Sequence, residues 1–203
     1  MRRLADGRLV VATHNRGKME EIAALFAPYG ISLVSAGDLG LNEPEETEDS
    51  FVGNARIKAH AAARATGLAA LADDSGLEVE ALGGAPGVHT ADWAATPNGR
   101  DFAMAMQRTW DALEAAATPE PRRAAFCCTL VLAWPDGHDE VFEGRMQGRI
   151  VWPMRGALGH GYDPIFQPDG HDQTFGEMDR WEKNRISHRA RAFERLIAGC
   201  IAP

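Results

Sequence analysis

The sequence predicts an α/β fold built around one mixed sheet flanked by helices, and three observations carry that expectation. A β-branched run, "RLVVAT" (8 to 13), gives way through a polar turn to a segment with Met19, Ile22, Ala23 and Phe26 at helical spacing. A second apolar run, "ISLVSAGDL", follows at once after Gly30. Further along, "AAFCCTLVLAW" and "DEVFEGRMQGRI" flank a Pro-Asp-Gly turn, the pattern of an antiparallel hairpin. Strand, helix, strand is the unit from which α/β folds are built.

The remaining elements follow in order. "NEPEETEDS" (42 to 50) is acidic and turn-rich and leads into a helix in which Phe51, Ala55, Ala59, Ala62 and Ala63 share one face. Asn54 and Lys58 lie one turn apart on another face of that helix. "LAALADDSG" reads as an apolar strand ending in acids, and the Gly-rich "LGGAPGVHTADW" after it reads as an ordered loop. "RDFAMAMQRTWDALEAAA" is an amphipathic helix with Phe102, Met106, Thr109 and Leu113 recurring, and "ATPEPRR" is a short internal linker. The tail "SHRARAFERLIAG" is a final helix with Ser187 as its N-cap. No repeat interrupts the 203 residues, which fit one domain with a substantial core.

Composition excludes several classes. A formal charge of −8 argues against a broad basic surface for polymeric nucleic acid, but it leaves room for a small phosphorylated ligand held by a few local cations. Three cysteines, two of them the adjacent Cys127 and Cys128, form neither a disulfide framework nor a zinc spacing and predict buried, reduced thiols. No apolar run approaches the ~20 residues of a membrane span, and the opening apolar stretch is too short for a secretion signal, so the expectation is a soluble, cytoplasmic protein.

Four stretches could carry chemistry. In "ATHNRGK" (12 to 18) a Gly-containing turn between strand and helix offers backbone N–H groups, a positive helix end and the Lys18 charge to a phosphate. It is not a Walker A loop, which needs Gly at Ala12 and Ser or Thr at Met19; read alone it is equally an ordinary βα turn. The acids "PEET" and "ADDS" could each give one carboxylate to a Mg²⁺ that serves a triphosphate, with Glu45 or Glu46 joining Asp74. Adjacent strand residues point to opposite faces, so Asp74 is assigned to a site while Asp73 braces the turn. In "GHGYDPIF" (159 to 166) the glycines Gly159 and Gly161 allow close backbone approach, His160 or Tyr162 offers a stacking face and Asp163 a polar edge. In "EKNRISHRAR" Lys183, Arg185, His188, Arg189 and Arg191 concentrate positive charge, and an Arg fork suits phosphate or a purine carbonyl edge; a charged surface helix is the alternative. Ser75 lacks a nucleophile elbow and reads as a hydrogen-bonding loop residue.

In this order, "THNRGK", "PEET" with "NARIKA", "ADDSGLEV" with "LGGAPGVHTA", and "GYDPIF" with "EKNRISHRARA" closely resemble the inosine/xanthosine triphosphate pyrophosphatase family over residues 8 to 198. The resemblance implies an elongated mixed sheet flanked by helices, a single domain over 1–203 in two lobes with a central nucleotide-binding cleft, and a homodimer. It implies Mg²⁺-dependent hydrolysis of ITP, dITP and XTP to monophosphate and pyrophosphate, which keeps these nucleotides out of DNA and RNA. Residue by residue, it puts Thr13, His14, Asn15, Arg16, Gly17 and Lys18 on the triphosphate with Lys58 assisting. It makes Glu45 a metal ligand and Asp74 the metal-linked general base, and it makes Ser75, His160, Gly161, Tyr162, Asp163, Lys183, His188 and Arg189 substrate contacts, the last two near the base. The chain departs from the family pattern at His14, where a small or amide residue is frequent, at His160, where Phe or Trp is common, and at Trp181, where an acid is usual. Two rival readings are a non-catalytic nucleotide sensor, which would not need the metal acids, and a related pyrophosphatase for pyrimidine or modified triphosphates.

Overall fold

All five expected strands lie in one sheet, with both early helices packed against it. In a computed structural model that describes residues 1–4 and 7–201, a six-stranded mixed sheet is flanked by helices. Strand β1 (Arg8–Val11) pairs in parallel with β2 (Ser32–Ser35) on one side and with β3 (Ala70–Val79) on the other. Parallel neighbours cannot be joined by a tight hairpin. The crossovers are α1 (Arg16–Phe26) and α2 (Phe51–Thr66). Strands β6 (Arg123–Ala133) and β7 (Asp139–Ile150) follow β3 in the sheet, joined by the expected turn in which Gly137 takes φ 92°. The last strand, β8 (Phe166–Pro168), pairs antiparallel with β7. Between β3 and β6 lie a two-stranded ribbon, β4 (Ala95–Thr96) and β5 (Gly99–Arg100), and helix α3 (Phe102–Ala115). The chain closes with α4 (Arg180–Ile186), α5 (His188–Leu196) and a π-helical turn, Ile197–Ile201.

The chain divides into two compact units: Met1–Asp74 with Cys128–Gly144 and Arg189–Pro203, and Ser75–Cys127 with Arg145–His188. In the first unit the strands are apolar on both faces. Leu9, Val11, Leu71, Leu130 and Leu132 pack with Ile22 and Phe26 of α1 and Phe193 and Leu196 of α5. Val10, Ala12, Ala70, Ala72, Val131 and Ala133 face Ala55, Ala59, Ala62 and Ala63 of α2. Small side chains on both sides of that second layer bring α2 close to the strands, and so bring Lys58 close to β3. In the second unit Phe126, Phe166 and Phe175 form the aromatic centre of a core with Leu77, Met106, Leu113 and Ile150. The expected buried face of α3 is present as Met106, Thr109 and Leu113. All three cysteines are buried and reduced.

One boundary differs from expectation. Strand β3 does not stop at the acids but continues through Asp73 and Asp74 to Val79. Apolar periodicity ends a strand where charges begin, but these charges are held by partners distant in sequence, so the extended backbone carries on. Ser187 stands between α4 and α5 with extended backbone, just ahead of the first helical residue of α5. Among the described residues no helix is long and apolar enough to cross a membrane.

Candidate functional site

The turn after β1 is built by its own side chains. Thr13 N–H donates to the Val11 carbonyl (2.9 Å), Thr13 Oγ1 accepts Asn15 N–H (3.1 Å), and Asn15 Oδ1 caps α1 by accepting Lys18 N–H (3.1 Å). The amides of Arg16 and Gly17, in the first turn of α1, have no intrahelical acceptor. The Arg16 guanidinium extends into solvent and pairs with Glu20 along the helix. Lys18 instead reaches inward, its Nζ 2.5 Å from Asp73 Oδ1.

Asp73 and Asp74 point opposite ways from β3 and meet different chemistry. The Asp73 carboxylate is fully enclosed; Oδ1 receives Lys18, and Oδ2 receives Arg189 Nε at 3.0 Å and the Cys128 thiol at 3.0 Å. Arg189, itself buried, also pairs with Glu21 of α1. Burial pushes the Asp73 pKa up, yet Arg189 and then Lys18 outweigh it and hold the carboxyl well below the usual range. The same surroundings push the Cys128 thiol up, through burial first and the Asp73 charge second. Arg189 is shifted upward, because Asp73 and Glu21 more than offset its desolvation.

Asp74 faces Lys58. Lys58 Nζ donates to Glu46 Oε1 (2.7 Å), to the Asp73 carbonyl (2.9 Å) and to Asp74 Oδ1 (3.0 Å). Asp74 Oδ2 is buried and has no hydrogen-bond partner among the described residues. Burial raises the Asp74 pKa to about 6; Lys58 opposes the rise and the Glu46 charge adds to it. Desolvation pulls Lys58 down, but Asp74 and Glu46 leave it raised. Two adjacent carboxylates therefore differ in kind: Asp73 is locked in its charged form, and Asp74 is poised near neutrality. Environments that push paired carboxyls apart are how one site obtains distinct acid–base roles.

The acidic loop supplies Glu46 to this cluster, whereas Glu45, expected as the metal ligand, stands exposed beside it. Among the described residues no group of three or more His, Cys, Asp or Glu could hold a metal alone. A hard cation that keeps several waters and phosphate oxygens needs only one or two carboxylates, and the buried open oxygen of Asp74 beside Glu46 fits that smaller requirement.

The remaining predicted residues, Arg189 apart, belong to the second unit. Ser75 is half-buried in β3. Asp163 Oδ2 accepts His160 N–H (2.8 Å) and Lys183 Nζ (2.6 Å), so its carboxylate organises the loop internally. Gly159, at φ 74°, sits so close that an added Cβ would lie 2.0 Å from Asp163 Oδ2. Tyr162, offered by the sequence as a stacking face, is buried in the core, edge-on to Phe102, with its hydroxyl donating to the Thr90 carbonyl; burial pushes that phenol up. His160 is left as the exposed ring of this loop, with Gly161 beside it at φ 65°. The His188 ring is buried and stacked on Phe126 at 4.9 Å. Arg189, expected near a base, has its guanidinium committed to Asp73 and Glu21. Sequence reasoning missed Glu21 and Cys128, since nothing local marks either as a partner of an acid so far along the chain.

The model of the Ham1 family matches residues 9–199. The chain belongs to the Ham1 family. Curated relatives include the dITP/XTP pyrophosphatase of Ruegeria pomeroyi, 68% identical over 99% of both chains, and that of Agrobacterium fabrum, 55% identical over 99% of both. Among solved structures, the HAM1 protein of Coxiella burnetii superposes with a TM-score of 0.86 at 39% identity, covering 94% of this chain and 96% of that one. The Ham1 protein of Staphylococcus aureus gives a TM-score of 0.82 at 33% identity over the same shares. This member of the Ham1 family therefore shares its fold with relatives along nearly its whole length.

The two aspartates predict opposite mutational effects. Asp73→Asn removes the buried charge that Lys18 and Arg189 share and destabilises the protein by about 3–5 kcal/mol in chemical denaturation. The folded protein holds the Asp74 proton more tightly than the unfolded chain, so Asp74 contributes stability in full only below the ordinary carboxylate range and loses it as pH rises through about 6. Asp74→Asn, in metal-free buffer, raises the free energy of unfolding at pH 8 by up to about 3 kcal/mol, and the gain fades towards pH 4. Gly159→Ala drives a methyl into Asp163 and releases Lys183, which thermal unfolding reads as a lowered Tm with the first unit's contacts untouched.

Proposed function

We propose that this protein hydrolyses ITP, dITP and XTP to the monophosphate and pyrophosphate, as the names of its curated relatives imply, and so removes non-standard purine nucleotides from the pool. The observation that carries the reading in this chain is Asp74: a buried carboxyl with one oxygen fixed by Lys58, the other without a hydrogen-bond partner among the described residues, and a pKa of about 6. A carboxyl so placed accepts a proton from water near neutral pH, as a general base requires.

In the reaction, water oxygen bonds to phosphorus, the bond to the pyrophosphate leaving group breaks, and the water proton passes to the Asp74 carboxylate and then to solvent. The turn residues Thr13, Asn15, Arg16, Gly17 and Lys18 bind the phosphates, through the Arg16 and Gly17 amides and the positive end of α1. Lys58 holds Asp74 Oδ1 so that Oδ2 keeps one orientation. Asp74 and Glu46, with Glu45 on the same loop, would hold Mg²⁺, which when bound supplies charge neutralisation to the phosphates. His160, Lys183 and His188 remain the substrate contacts that the family resemblance assigns. Arg189 acts one step back, holding Asp73 and through it the Lys18 ammonium. The resemblance also assigns homodimeric assembly and a cytoplasmic location.

Selectivity against adenine follows from the 6-keto group. Adenine carries a donor where hypoxanthine carries an acceptor, so a site that donates there leaves a buried donor unpaired with ATP, and such mismatches reject strongly.

The test is pyrophosphate release from inosine, xanthosine, adenosine, guanosine and pyrimidine triphosphates, with and without Mg²⁺. Metal-dependent release from the inosine and xanthosine substrates is expected. Asp74→Asn is expected to lower kcat by about 10²–10⁴ with nucleotide binding retained. Nucleotide binding with no turnover in the wild type would make the protein a sensor instead, and pyrimidine turnover would overturn the base assignment.

A further inference from the structure

The cluster at Asp74 includes Glu46, which comes from the acidic loop. After β2 the chain folds on itself: Asp38 N–H donates to Ser35 Oγ (3.0 Å), Gly40 N–H to the Gly37 carbonyl (3.0 Å) and Leu41 N–H to the Ala36 carbonyl (3.0 Å). Residues 40–44 then roof a cavity of about 310 Å³. Its floor is Ala12 with Ala61, Ala62 and Ala65 of α2, and His14 and Lys58 stand on its wall. Leu41 of the roof packs against this alanine layer, and the small methyl groups leave the rest of the space unfilled.

His14 reaches the roof from the turn after β1, beside the packing of Leu41. Its Nε2 lies 2.7 Å from the Leu41 carbonyl oxygen. A carbonyl only accepts, so the hydrogen-bond network assigns the proton to Nε2. The ring lies against Gly37, where an added Cβ would stand 3.7 Å from His14 Cδ2. One end of this bond is in the turn that the proposed function assigns to phosphate; the other is five residues ahead of Glu46, whose carboxylate bonds Lys58.

We propose that His14 is a positioning residue: through its Nε2–H bond to Leu41 it sets the acidic loop against the phosphate turn and keeps Glu46 on Lys58. Its place in catalysis rests on the pyrophosphatase reading. The tether itself does not. The sequence placed His14 on the triphosphate with the rest of its turn; here its ring nitrogen is turned to the loop.

Length distinguishes this role from a substrate contact. A Gln amide nitrogen reaches about as far as His Nε2, whereas an Asn amide ends near the position of Nδ1. Hydrogen exchange of the peptide spanning 36–46, measured on the full chain without metal or nucleotide, reads the tether directly. His14→Asn and His14→Ala are expected to speed that exchange about tenfold, the equivalent of one lost hydrogen bond. They are expected to raise the KM for inosine triphosphate by a similar factor with kcat within about twofold, and His14→Gln to recover most of both losses. Unchanged exchange in His14→Ala would overturn the tether, as would equal KM increases in the Gln and Asn variants. If the wild type hydrolysed no triphosphate, the exchange result would still decide the tether, while the functional reading would fall separately.

Discussion

The first unit depends on one buried carboxylate. Asp73 accepts Lys18 from α1, Arg189 from α5 and the Cys128 thiol from β6, so three elements meet at one side chain of a central strand. Removing a carboxylate from water costs several kcal/mol unless its lone pairs are used and its charge is matched. Here both oxygens are engaged, and Glu21 balances the second face of Arg189. The arrangement fixes Lys18 at the mouth of the βα turn and fixes the register in which β3 presents its next residue.

That next residue inherits its role from the pleat. With Asp73 turned to one face, Asp74 is turned to the other, towards α2, where alanines let the helix approach and Lys58 arrives between two carboxylates and the Asp73 carbonyl. One ammonium shared among three acceptors does not fully offset the desolvation of Asp74, and Glu46 adds repulsion. The result is a carboxyl that exchanges its proton near the pH at which it would have to work. Structure and chemistry are thus divided between neighbours: the locked acid holds the frame, and the loosely held acid is available to react.

Much of this was legible in the sequence, for reasons that are local. Residues 8 to 35 announce strand, polar turn, helix and strand because apolar period and Gly30 agree, and the Asn15 cap emerges only from the fold. The alanine face of α2 and the hairpin around Gly137 were legible for the same reason, and the strand period alone separated Asp73 from Asp74. What was not legible is non-local. Continuation of β3 through two charges depends on Arg189, 116 residues away, and on Cys128, 55 residues away. A basic run such as 183–191 has the same appearance whether its arginines face solvent or enter the core, and only the fold shows Arg189 buried while Arg191 lies exposed. Glu45 and Glu46 are indistinguishable by type, and the path of the loop decides which meets Lys58. Tyr162 was read as a ligand platform because a Gly-flanked aromatic permits that reading; its burial against Phe102 is a property of the second core.

The central claim is that the adjacent aspartates are electrostatically unlike. Selective ¹³Cγ labelling of aspartate, with Asp73→Asn and Asp74→Asn used to assign the two signals, would follow each carboxyl through a pH titration of the metal-free protein. The account predicts that Asp74 titrates at about 6 while Asp73 stays ionised until the protein unfolds in acid. Both carboxyls titrating together in the ordinary range, or Asp73 above Asp74, would contradict it.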